Sequence, residues 1–167
     1  MRSTALARIP VGVIVERRRA KSAWVEFLWR PVAVLAGNPS AEPWTAVDTQ
    51  ADRVLFYAGE AVIELHRTET TYYRDNLSSG APQLWVALGP TASEPPYELV
   101  AVTADPAEGE AFTGAGSNLV EAVPMPPDVV EIVEQFIARH HVERPFVKRR
   151  RQPAEFGNRE SGPEDET

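Results

Sequence analysis

Hydrophobic positions in this chain mostly follow the two-residue period of strands, and they take up the helical period in one long stretch near the C-terminus. Val11 to Glu16 reads as a short β-branched strand that ends at Arg17-Arg18-Arg19 with Lys21, an exposed basic turn. From Trp24 the run WVEFLWRPVAVL alternates, with Val25, Phe27 and Trp29 to one side and Glu26 and Arg30 to the other. Pro31 interrupts it, which predicts a bulge or an edge strand, because proline donates no ladder hydrogen bond. Asn38 to Asp52 reads as a polar loop carrying one aromatic residue, Trp44. Val54 to Tyr57 and Glu60 to Arg67 read as a hairpin turning at Ala58-Gly59, with Ala61, Ile63 and Leu65 on the core side and Glu64 and His66 opposite.

Thr68 to Ser79 has helical spacing in Tyr73 and Leu77, with Gly80 placed to end it. Gln83 to Leu88, Tyr97 to Thr103 and Leu119 to Val123 are further strands. Asp105-Pro106-Ala107-Glu108 predicts a helix start with a capping box, and Gly109 and Gly114 predict that this helix is short. Asp128 to His141 carries Val129, Ile132, Val133, Phe136, Ile137 and His140 on one stripe, opened by a second capping-box pattern at Asp128 to Glu131. Arg139, His140 and His141 suit the carbonyl end of its dipole. The expected fold class is α+β: a mainly antiparallel, twisted sheet or partly closed barrel of six to seven short strands with this C-terminal helix packed on it.

With 167 residues, the expected organisation is a flexible N-terminus over residues 1–8, one globular domain over 9–147, and a tail over 148–167. The tail is basic at Lys148 to Arg151 and then acidic, with Glu155, Glu160, Glu164, Asp165 and Glu166 against Arg159 and little to bury, so it is expected to be disordered. Fifteen prolines divide the domain into short elements. No segment has the length or apolarity of a signal peptide or membrane span, so a cytoplasmic location with no membrane partner is expected. A net charge of −7 makes nucleic acid an unfavoured partner, and the absence of cysteine excludes disulfides, thiolate catalysis and thiolate metal sites.

The sequence assembles no catalytic motif. His140 and His141 diverge on their helix, and Glu64 with His66 supplies only half of a metal site. Gly114-Ala115-Gly116-Ser117-Asn118 precedes a strand and has no lysine, unlike a phosphate cradle. No catalytic residue, metal or cofactor is therefore expected. A partner surface is expected at Trp29, Arg30, Trp44 and the segment Arg144, Pro145, Phe146 and Lys148, because exposed tryptophan and arginine carry interface energy.

The stretches IPVGVIVERR, FLWRPVAVL, IELHRTET and EAVPMPPDVVEIVEQFIARHHVERPFVKRRR resemble a bacterial family of unknown function often labelled molybdopterin-guanine dinucleotide biosynthesis protein A. The likeness runs from about Ile9 to Arg151. Members are typically encoded near molybdenum- or tungsten-dependent formate dehydrogenases. The resemblance implies a non-catalytic accessory or maturation role, with dehydrogenase subunits or a maturation factor as partner. The label itself implies a second reading, a GTP-dependent nucleotidyltransferase using Arg17 to Lys21, Arg30, Arg67 and Lys148 to Arg151. Pro10-Val11-Gly12-Val13 lacks the Gly-rich loop of such an enzyme. A nucleic-acid-binding module using the same arginines is a third.

Overall fold

The computed structural model describes residues 5–37, 39–114 and 116–141. Its architecture is α+β, with seven strands in two antiparallel sheets and three α-helices. The longer sheet has the order β2-β1-β4-β3, from β1 (Ala7–Arg19), β2 (Phe27–Ala36), β3 (Thr45–Thr49) and β4 (Arg53–Leu65). The shorter sheet has the order β6-β5-β7, from β5 (Gln83–Pro90), β6 (Tyr97–Thr103) and β7 (Leu119–Pro124). The sheets do not close into a barrel. The strand count matches expectation, but β1 and β4 are 13 residues each and far from short.

Several local expectations change. β1 begins at Ala7, and the Leu6 amide donates to Leu65 O, so the end of the expected flexible leader is tied to the sheet. Arg17, Arg18 and Arg19 lie in β1 and are no turn: all three pair with β2, and Arg17 and Arg18 pair with β4 as well. Ala58-Gly59 is not a hairpin turn either. β4 runs straight through it, with Gly59 facing Val13, Tyr57 facing Ile14 and Ala58 left unpaired as a bulge. Gly59 has φ 135, a conformation open to glycine, so its signal marked a bulge within one strand. Pro31 does sit at a bulge, opposite Val15, on an edge strand. The expected loop over residues 38–52 contains β3, a fully exposed edge strand whose polar composition hid it.

The alternation of β1 and β4 builds the core. Val11, Val13, Val15, Ile63 and Leu65 have no accessible surface and meet Leu84, Val86 and Leu88 of the shorter sheet. Helices α1 (Thr70–Ser78) and α3 (Pro127–His140) add Tyr73, Val129, Val133 and Phe136 to the same core. Phe136 lies beside Leu6 and Ala7, which places α3 at the N-terminal end of β1. Ile132, expected on the buried stripe, is partly exposed at 39%. The helix starts at Pro127 with Pro126 as N-cap and no side-chain cap, so the predicted capping box does not form there. His141 also departs from a purely dipolar role: its ring bonds Thr70 Oγ1 at 2.8 Å and Arg74 at 2.7 Å, joining α3 to α1.

Helix α2 (Pro106–Thr113) lies on the outer side of the shorter sheet. Gly109 sits inside this helix and does not end it. A β-carbon there would collide with Trp85, so the glycine permits close packing on β5. Asp105 caps the helix through the Ala107 amide, as predicted. Glu108 instead accepts from Thr103 Oγ1, and that hydroxyl takes the Asp105 amide, so a threonine relays the expected reciprocal bond. Burial raises the Asp105 carboxyl above its usual range, opposed by its bonds to the helix amides.

Two buried polar side chains fix α1. Asn76 donates to Gln83 O (2.8 Å) and Ala104 O (3.1 Å) and accepts from the Gln83 amide (3.0 Å). Substituting Asn76→Ala leaves these backbone groups unpaired and is expected to cost about 2–4 kcal/mol, lowering Tm by roughly 10 °C in a thermal melt. Tyr73 accepts from the His66 amide at 2.9 Å, and burial raises its phenol to about 12. A folded value above the unfolded 10.0 means that this group's protonation-linked stability is complete below pH 10 and is lost as pH rises toward 12. Tyr73→Phe is therefore expected to be less stable by about 1 kcal/mol at pH 7. That deficit should narrow between pH 10 and 12 in denaturant titrations.

Candidate partner-binding site

β1 and β4 outrun the strands that cover them, and their far ends carry the most distinctive chemistry of the molecule. Beyond Val15 the inner face of the longer sheet changes from aliphatic to aromatic and cationic. Arg17 faces Trp29 across the β1–β2 ladder, and Arg19 faces Phe27. Trp29 stacks on Phe56 at 5.9 Å between ring centroids, meets Trp44 edge-on at 6.0 Å, and touches Tyr97 of the shorter sheet at 6.1 Å. These rings close the open end of the core, in geometries that aromatic quadrupoles favour.

Trp44 reaches the cluster because its backbone adopts φ 67, which turns it inward just before β3. The two tryptophans expected at the surface thus pack together, half-buried.

Arg17 lies on this plug. Its guanidinium sits 4.3 Å from the Phe27 centroid, 5.4 Å from Phe56 and 5.8 Å from Trp29, so its charge is held by ring faces. Its Nε is buried without a hydrogen-bond acceptor, the one such side-chain atom among the described residues. A cleft of about 370 Å³ opens beside it, lined by Arg17, Val25, Glu26, Phe27, Trp29, Glu94 and Pro96.

The outer face of the same strand end is organised around Glu16, only 4% exposed. Its carboxylate receives Arg18 at 3.1 Å, Arg53 at 3.5 Å and Arg30 at 3.6 Å. Arg53 also reaches Asp48 at 3.7 Å. Glu16 faces Arg30 on β2 and lies next to the Arg18–Arg53 pair, so ladder register alone brings these groups together. Glu16 and Asp48 together leave one of these three guanidinium charges unbalanced, on a molecule of net charge −7.

The hairpin joining β1 to β2 projects from this end. Its tip bears Trp24 at 92% exposure, with Val25 and Leu28 also exposed. The alternation from Trp24 predicts a strand there, but β2 begins only at Phe27 and Trp24 lies in the turn before it. The available signal was its position in Lys21-Ser22-Ala23-Trp24, between a basic run and the next strand, where a tip residue would fall.

Of the expected partner residues, Trp29, Arg30 and Trp44 therefore gather at one end, with Arg30 on the opposite face from the two rings. Arg144, Pro145, Phe146 and Lys148 lie outside the described residues. Arg67 belongs to a short 3₁₀ turn after β4, at the other end of the sheet from Arg17. No group of three histidine, aspartate or glutamate side chains converges to hold a metal among the described residues, and Glu64 pairs with His66 and Arg8. No described helix is long and apolar enough to cross a membrane.

With this geometry in view, the comparisons place the chain in a family of unknown function, as the resemblance implied. The chain belongs to the family described as Protein of unknown function (DUF3305), whose model matches residues 10–150. No curated protein and no solved structure matches the chain.

Glu16→Gln is expected to test the outer cluster. Removing the shared carboxylate leaves three guanidiniums repelling one another, though each stays partly in water. The expected loss is about 2 kcal/mol at low ionic strength, shrinking as salt screens the repulsion. Urea melts at low and high sodium chloride concentration would read the difference.

Proposed function

We propose that this chain is a non-catalytic accessory protein that receives an acidic segment of a partner protein on the arginine-rich, aromatic end of its longer sheet. The observation that carries this reading is the gathering of five arginines at one end of an acidic molecule, Arg18, Arg30 and Arg53 around the buried carboxylate of Glu16 and Arg17 and Arg19 over the aromatic rings of the other face. Guanidiniums held in place by ring faces and by Glu16 lose little freedom when a carboxylate docks, so attraction is converted into binding with a small ordering cost. The resemblance to accessory proteins encoded beside formate dehydrogenases makes a molybdenum-dependent formate dehydrogenase, or a factor that matures it or its molybdopterin cofactor, the first partner to try.

The test is affinity purification of the tagged chain from its native cell, with the bound proteins identified by mass spectrometry at two salt concentrations. Dehydrogenase subunits or cofactor-pathway proteins should be retained at moderate salt and lost at high salt. The double variant Arg19→Glu, Lys21→Glu should recover them at least 10-fold less well while keeping its melting temperature. Wild-type protein that retains none of them would overturn the reading.

A further inference from the structure

We propose that the β1–β2 hairpin is an anchor, and that Trp24 at its tip seats in an apolar slot rimmed by carboxylates on a partner protein. This rests on reading the chain as a protein-binding accessory, and it names the residue and the chemistry of the contact.

Trp24 contributes nothing to the fold. At 92% exposure it differs from Trp29 and Trp44, which plug the core, and from Trp85, which lies under α2. Its position is nevertheless defined. The Ala20 amide donates to Glu26 O at 2.9 Å and closes the loop, and the Trp24 amide donates to Ser22 Oγ at 3.0 Å within it. A large ring on a closed turn carries contact area to a partner with little conformational entropy to lose.

The surroundings specify the partner. Val25 (47% exposed) and Leu28 (56%) add apolar surface behind the tip, and Arg18, Arg19 and Lys21 of the same hairpin are exposed. The complement is an apolar slot with acidic residues at its rim. An anionic bilayer fits less well, because Glu26 and Glu94 are exposed in the cleft beside the tip and would be pressed against like-charged headgroups. A protein can meet both signs at once.

The experiment places a photocrosslinker at the tip of the full chain, Trp24→p-benzoylphenylalanine, in the native cell, with Val62→p-benzoylphenylalanine on the outer face as control. The expected result is an adduct from position 24 alone, to one peptide of another protein in which apolar residues alternate with Asp or Glu. An adduct to lipid, an adduct to a second copy of this chain, or no adduct above the control would each overturn the anchor. With the crosslinked protein purified, Trp24→Ala should weaken its binding by roughly 30-fold or more, as for a buried tryptophan anchor. Unchanged affinity would equally sink the proposal. Failure of the accessory reading looks different: an adduct forms, but to a protein unrelated to the dehydrogenase or its cofactor.

Discussion

The layout of this molecule follows from a mismatch of lengths. β1 and β4 are 13 residues each and share a ladder of roughly 40 Å, while the strands of the covering sheet have six to eight residues. The helices α1 and α3 close the sandwich at the Ala7 end. At the Arg19 end nothing aliphatic remains to cover the inner face, and a sheet face left open there would expose apolar surface. The chain meets this with large rings, Trp29, Trp44, Phe56 and Tyr97, and then with arginines that tolerate both a ring face and water. The same solution stabilises the end of the core and concentrates rings and guanidiniums there.

Glu16 and Arg17 are neighbours in sequence and opposites in role. Strand alternation sends Glu16 outward beneath three guanidiniums and Arg17 inward onto rings. The carboxylate aligns the outer arginines, and the aromatic plug immobilises the inner one. Charge at this end of the sheet is thus positioned by two separate mechanisms on the two faces of one strand.

Much of the architecture was readable from the chain. The α+β class, the number of strands, the Pro31 bulge, the core side of Ala61, Ile63 and Leu65, and the long C-terminal helix all came from period and punctuation. The departures share a cause: Gly and polar residues, which usually break an element, lie inside one here. Gly59 lies at a bulge inside β4, Gly109 is a contact inside α2, and the polar 45–49 segment is an edge strand, each set by a neighbour remote in sequence. The candidate site was legible only in part. Trp29, Arg30 and Trp44 were singled out, but that Trp44 turns inward depends on its φ, and that Trp24 stands free depends on where the hairpin closes. Neither is written in periodicity.

The bulge at Ala58 sets one further property of the fold. By adding one unpaired residue it shifts the phase of β4, so residues 53–57 and residues 59–65 face the core through two independent alternations. The half that belongs to the helix-capped core and the half that belongs to the arginine end are joined end to end but not in step. The core-facing positions are therefore odd-numbered from Gly59 to Leu65 and even-numbered at Val54 and Phe56.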